Sequence, residues 1–173
     1  NLTDALDLRS LILQNFENAL NTNDLTERER LMNFVIVGAG PTGIELAGAL
    51  AELKEHVLPN DYPDLDIRRM QIHVIEANDR VLSAMSLHAS EKSEKYLKDR
   101  DIHIWLNTKV KDFDGSVVFT NHKNFDSKTL IWAAGIQADF PGGFEVETTK
   151  EHRLKTDDFN AIQSLEGVYA IGD

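Results

Sequence analysis

Phe34-Val35-Ile36-Val37-Gly38-Ala39-Gly40-Pro41-Thr42-Gly43 is the stretch whose reading decides the fold. The four apolar residues at its head form a short continuous run, the pattern of a strand buried on both faces. Gly38, Gly40 and Gly43 follow directly, and Ile44 to His56 then reads as a helix rich in Ala and Leu. Between a strand and a helix, this glycine spacing has a mechanical meaning. Gly38 permits a tight turn, Gly40 lets the backbone approach a pyrophosphate with no side chain in the way, and Gly43 lets the helix pack closely on the strand. The helix N-terminus presents unpaired N–H groups and the positive end of its dipole to phosphates. Pro41 suits the first turn, where no N–H partner is required.

Working outward, Gln71-Ile72-His73-Val74-Ile75-Glu76 reads as a second strand. A carboxylate at the end of that strand accepts hydrogen bonds from adenosine ribose hydroxyls and repels a 2′-phosphate, which favours NADH over NADPH. Glu76 occupies that place. It lies 33 residues past Gly43, against about 20 in the general pattern. The polar segment 57–70, with Pro59 and Pro63, accounts for the excess as a loop or broken helical excursion. Arg80 lies close enough to bear on a 2′-phosphate, but it could equally cap a helix or sit in solvent. Glu45 lies two positions into the expected helix. The helix dipole alone favours an acid there, and a contact to a nicotinamide amide is the alternative.

Toward the N-terminus, residues 3–20 have the spacing of an amphipathic helix, with Leu6, Leu8, Leu11, Ile12, Phe16 and Leu20 largely on one stripe. The run TERER before the first strand reads as a solvated helix face. Downstream, residues 86–99 read as a polar, exposed helix and Ile102 to Leu106 as a third strand. Lys109 to Phe113, the turn signal Asp114-Gly115 and Val117 to Phe119 then read as a hairpin. Leu130 to Ala134 is a further strand, residues 137–152 are loop-like, and Val168 to Ile171 is a last strand. The expected class is α/β: a Rossmann-like parallel sheet with flanking helices on both faces and an antiparallel β-meander as crossover. Trp105 and Trp132, each inside an apolar run, are expected in the core.

Composition bounds the function. Among 173 residues, 18 are Lys or Arg and 29 are Asp or Glu, for a net charge of −11. A nucleic-acid surface and a polybasic lipid anchor are therefore not expected. With no cysteine, a disulfide framework, a thiolate zinc site, a Cys nucleophile and a CxxC redox pair are excluded. No transmembrane segment is expected, since Val35 to Leu53 carries Glu45 and several glycines, and no signal peptide, since Asn1-Leu2-Thr3-Asp4 lacks a basic region ahead of an apolar core. The six histidines, at 56, 73, 88, 103, 122 and 152, show no metal-ligand spacing, so no metal site is expected. There is no GxSxG or P-loop, and no catalytic acid or base is assigned.

GAGPTGIELAGALAEL, the downstream VIEA, the strand IWAAG and the terminal GVYAIGD occur in one order along the chain. Together they resemble the NADH-binding domain of type II, non-proton-pumping NADH:quinone oxidoreductases, members of the flavoproteins with two dinucleotide-binding domains. ALDLRSLILQNFENAL is similar to the helix leading into that domain. The resemblance implies that Gly38, Gly40, Pro41, Thr42 and Gly43 hold the NADH pyrophosphate. It sets Glu45 by the nicotinamide, Glu76 by the adenosine ribose and Val110 near adenine. Ala134, Gly135 and Ile136 would form the turn toward the nicotinamide end, and Gly172 and Asp173 would return to the flavin, the Asp on its ribityl-phosphate region. The organisation implied is a leading helix region over 1–32, the NADH domain over 33–166 and a strand over 167–173 joining a FAD domain. The family carries an earlier glycine motif for FAD. This chain has one such motif and stops at that Asp, so an excised domain, inactive by itself, is expected. The parent would pass hydride from NADH to FAD and electrons to a membrane quinone, in the cytoplasm and peripheral on the inner face of the cytoplasmic membrane. Two alternatives stay open: a disulfide or ferredoxin-type flavoprotein reductase, and a non-catalytic NADH-sensing domain.

Overall fold

The computed structural model describes residues 2–135, 146–149 and 153–172. It divides into two compact units, Asn1–Ala134 and Gly135–Asp173.

In the first unit, β1 (Phe34–Val37) is the centre of a parallel sheet with β2 (Ile72–Ile75), β3 (Ile102–Trp105) and, on its other side, β7 (Thr129–Trp132). The strand order is β3-β2-β1-β7. Every residue of β1 and β2 is buried, as the unbroken apolar run of β1 requires. Connections run outward from β1 to β3 and then return to the far side of β1, so the order reverses beside the glycine turn. That reversal opens a crevice at the carboxyl ends of β1 and β7.

The two faces of the sheet are covered differently. Phe16, Ala47, Leu50 and Leu97 from α1 (Leu2–Asn21), α3 (Pro41–Glu52) and α5 (Leu87–Asp99) share one core cluster with Phe34, Ile36, Val74 and Ile102. On the opposite face Val35 and Ile75 pack with Val118 and Phe125. These come from a three-stranded antiparallel sheet, β4 (Val110–Phe113), β5 (Val117–Thr120) and β6 (Phe125–Asp126). The expectation of helices on both faces is thereby corrected: the meander that carries the chain from β3 to β7 occupies the face a crossover helix would take. Its hairpin turn is where Asp114-Gly115 places it. The N–H groups of Ser116 and Val117 donate to the Asp114 carboxylate and hold its carboxyl below the usual range.

The leading region docks on the helical face. Phe16 is fully buried, with its ring 6.1 Å from Phe34 and 5.4 Å from Tyr62. Asn15 donates to the Thr129 hydroxyl at 2.7 Å, tying α1 to β7. The charged run forms α2 (Leu25–Met32), capped by the Asp24 carboxylate, which accepts from the N–H groups of Thr26 and Glu27. After α3 the helix widens into a π-turn over Leu53–Val57 and closes with α4 (Leu58–Asp61). Pro59 lacks the N–H that would continue the regular ladder, so the segment 57–70 is the broken helical excursion its prolines predict.

Two expectations fail. Trp132 is 64 % exposed, because it ends β7, the edge strand of the sheet, and its indole N–H donates to the Ala134 carbonyl at 2.7 Å. In the second unit, Val168 to Ile171 forms no strand. Tyr169 makes a single antiparallel bridge to Ala161, and Ile171 is 89 % exposed. An apolar run becomes a strand only where a neighbouring edge takes its hydrogen bonds. The unit is otherwise built from isolated bridges, Thr148 with Leu154 and Thr156 with Ile162, and from a turn in which the Asp157 carboxylate accepts from Phe159 and Ala161 N–H.

Candidate functional site

The glycine turn follows β1 at the sheet's carboxyl edge. Gly38 has φ of +101°, and a Cβ there would fall within 2.9 Å of Ala134. A Cβ on Gly43 would sit 1.9 Å from the Gly38 carbonyl oxygen. Both positions are therefore closed to any other residue. Gly40 differs: its Cβ would meet nothing within 4 Å, which is the open cradle a close-approaching ligand needs. Gly40 is the N-cap of α3, Pro41 is its first residue, and no side chain caps that end. The first N–H to bond within the helix at this end is that of Ile44, to the Gly40 carbonyl at 3.0 Å.

Because α3 starts at Pro41, Glu45 is its fifth residue rather than part of its first turn. The dipole acts mainly on the first turn, so helix electrostatics account poorly for an acid at that place. Glu45 is exposed.

Glu76 faces the turn. Its Oε2 accepts the Ala39 N–H at 2.7 Å, and its Oε1 accepts from the backbone and side-chain nitrogens of Asn78 at 2.9 and 2.8 Å. A cleft of about 260 Å³ opens beside it, lined by Gly38, Glu76, Val110 and Ala134 together with Thr108, Lys109 and Trp132. Four residues singled out in the sequence thus meet around one space. Thr108, Lys109 and Trp132 were not singled out for it; their signal is position, since each lies at or just past the carboxyl end of β3 or β7. Arg80 neither caps a helix nor reaches the cleft: its guanidinium donates to the carbonyls of Met85 and Ser83. Pro41 and Thr42 are exposed. Gly135, with φ of +72°, and Gly172, with φ of +124°, belong to the second unit. Ile136 and Asp173 lie outside the described residues.

A second cluster lies under the meander. His73 and His103, in register on β2 and β3, stack at 5.1 Å, and Phe125 and Trp105 flank His73. The Trp105 indole donates to His73 Nδ1 at 3.3 Å. The Lys123 ammonium sits over the Trp105 and Phe125 rings at 4.2 and 4.8 Å. Burial, then the neighbouring His103 and Lys123, push His73 down to about 3. It is a neutral packing residue.

A β-strand, a glycine turn and an uncapped helix N-terminus at a topological switch point define a dinucleotide-binding α/β domain. The family model for pyridine nucleotide-disulphide oxidoreductases matches residues 8–173, and the chain belongs to that family. Within it, the chain is similar to the type II NADH:quinone oxidoreductase Ndh of Mycobacterium tuberculosis, 30 % identical over 99 % of this chain and 39 % of that protein. It is 27 % identical to the mitochondrial external alternative NADH-ubiquinone oxidoreductase of Yarrowia lipolytica, over 99 % of this chain and 32 % of the relative. The chain therefore spans about two fifths or less of the length of these relatives. The fold matches the NDH2 structure from Plasmodium falciparum in complex with NADH, with a TM-score of 0.74, 24 % identity, and 80 % of this chain and 30 % of that one covered. The likeness read from GAGPTGIELAGALAEL and VYAIGD is thus found over nearly the whole chain. Among the described residues no helix is long and apolar enough to cross a membrane.

Proposed function

We propose that this chain is the NADH-binding region of a type II NADH:quinone oxidoreductase. The observation that carries the reading is the open space at Gly40, set between two glycine positions that tolerate no side chain, with the Glu76 carboxylate bound to the N–H of the adjoining Ala39. The residues fit the nucleotide. Gly38, Gly40, Pro41, Thr42 and Gly43 would take the pyrophosphate, with the Thr42 and Gly43 N–H groups and the helix dipole as its counter-charge. Glu76 would accept the adenosine ribose hydroxyls, and Val110 would border adenine. Ala134, Gly135 and Ile136 would follow the nucleotide toward its nicotinamide end, with Glu45 as a partner for the carboxamide.

When bound, NADH supplies a hydride for the flavin, and the flavin supplies electrons for the quinone. The contribution of this chain is binding and orientation, and no side-chain acid or base is required of it. FAD would be held mostly by sequence this chain does not contain, with residues 1–32 as a leading region, 33–166 as the NADH domain and 167–173, including Gly172 and Asp173, as the return to the flavin. The parent would act peripherally at the inner face of the cytoplasmic membrane, and the chain alone would bind NADH without rapid turnover.

The test is Glu76→Ala. NADH binding is expected to weaken and its advantage over NADPH to narrow, read by calorimetry. An unmoved NADH:NADPH ratio removes Glu76 from the ribose site.

A further inference from the structure

We propose that Asn78 is a positioning residue for nucleotide selection. It holds the Glu76 carboxylate in the orientation that receives ribose hydroxyls and turns away a 2′-phosphate. The inference rests on the reading of the cleft as an NADH site.

A carboxylate has about four lone-pair positions to offer. Ala39 N–H takes one on Oε2, and Asn78 takes two on Oε1, one from its main chain and one from its side chain. Acceptor capacity remains for a hydroxyl, while the carboxylate is gripped from two sides and does not rotate freely. The grip itself is fixed. Glu76 N–H donates to the Trp105 carbonyl and its carbonyl accepts from Thr108, both at 2.9 Å, while the Asn78 carbonyl accepts from Asn107 at 2.9 Å. Residues 76–78 are thus tied to the segment that ends β3, and Asn78 delivers its amide from an anchored backbone.

The same loop secures the glycine turn from its other side. Leu82, at φ of +48°, donates its N–H to the Ala39 carbonyl at 2.8 Å. Ala39 is therefore held at its N–H by Glu76 and at its carbonyl by Leu82. The cation nearest in sequence, Arg80, closes this loop on the Ser83 and Met85 carbonyls. A 2′-phosphate arriving at Glu76 would meet a fixed negative charge, with that guanidinium bound elsewhere and Lys109 as the cation in the cleft lining. Loosening the carboxylate is what would relax selection, and Asn78 contributes the one side-chain hydrogen bond beside the two main-chain ones that hold it.

The experiment compares the unaltered chain with Asn78→Ala, Glu76→Ala and the double variant, titrating each with NADH and with NADPH. Loss of one of the three hydrogen bonds on the carboxylate, with the Asn78 and Ala39 main-chain N–H groups still in place, is set at the net value of an ordinary hydrogen bond and predicts an NADH affinity about 3- to 10-fold weaker in Asn78→Ala. NADPH is expected to change less, so the ratio narrows, and the double variant is expected to match Glu76→Ala. Asn78→Asp keeps the shape but replaces the donor by a second carboxylate, and NADH is expected to weaken further than in Asn78→Ala. It supplies the answer if the alanine variant does not fold. Equal losses for both nucleotides, an Asn78→Ala effect that adds to Glu76→Ala, or an Asn78→Asp chain that binds NADH unchanged overturns the positioning role. If Glu76→Ala shifts the ratio and Asn78→Ala does not, this inference alone fails. If the unaltered chain binds no NADH, the site assignment fails with it.

Discussion

Replacing His73 by Phe is expected to flatten the acid dependence of stability. His73 is 5 % exposed and is held neutral down to about pH 3 by burial, by His103 and by Lys123. In the unfolded chain the same imidazole takes a proton near pH 6.5. Between those values the unfolded state binds one proton more than the folded state. Stability therefore falls as pH falls, by about 1.4 kcal/mol per pH unit. From pH 6.5 to 5 the loss comes to roughly 2 kcal/mol, a large part of the stability of a domain this size. Above pH 6.5 this contribution is fully present. The folded chain has no cheap way to accept the proton. Nδ1 is occupied by the Trp105 indole, the ring packs on His103 and Phe125, and the Lys123 ammonium over the Phe125 ring opposes a second positive charge. The carboxyls of Asp101 and Asp114 are held below the ordinary range, by Lys54 and by backbone N–H groups respectively, and are common to both proteins. Urea unfolding followed by tryptophan fluorescence, at half-unit steps from pH 7.5 to 5, gives the two slopes. The difference is expected to open by about 1.4 kcal/mol per unit below pH 6.5. Parallel curves would refute the assignment of His73 as a buried neutral group.

Two substitutions separate the structural glycines from the binding one. Gly43→Ala is expected to cost about 3 kcal/mol or more, because the new methyl would lie 1.9 Å from the Gly38 carbonyl oxygen; an unchanged urea midpoint contradicts that packing. Gly40→Val is expected to keep the midpoint, since nothing lies within 4 Å of its Cβ, while abolishing measurable NADH binding; retained affinity removes the turn as the pyrophosphate site.

The sequence carried the centre of the fold because the centre is set by local chemistry. Four consecutive apolar residues bounded by glycine suit a strand covered on both faces, and Gly43 answers a contact with Gly38 inside one turn, whereas Gly38 also answers Ala134, far away in sequence. Glu76 was legible from its place at the end of β2. What covers each face was not legible, because periodicity marks a residue as buried without saying what buries it; the meander over Val35 and Ile75 is a long-range choice. Trp132 read as core for the same reason: its neighbours in sequence are apolar, yet β7 is an edge strand. The fixing of Glu76 by Asn78 and the turning inward of Arg80 depend on a loop closing on itself through main-chain carbonyls, for which NDR leaves no periodic trace. Glu45 shifted its meaning with the helix start, since Pro41 begins α3 three residues earlier than the apolar pattern does.

The most direct test of the central claim is calorimetric titration of the chain with NADH, NADPH and FAD in parallel. The account predicts NADH binding, weaker NADPH binding and no FAD binding. FAD binding in place of NADH would mean that the glycine turn serves the flavin, and the roles given to Glu45 and Glu76 would have to be reversed.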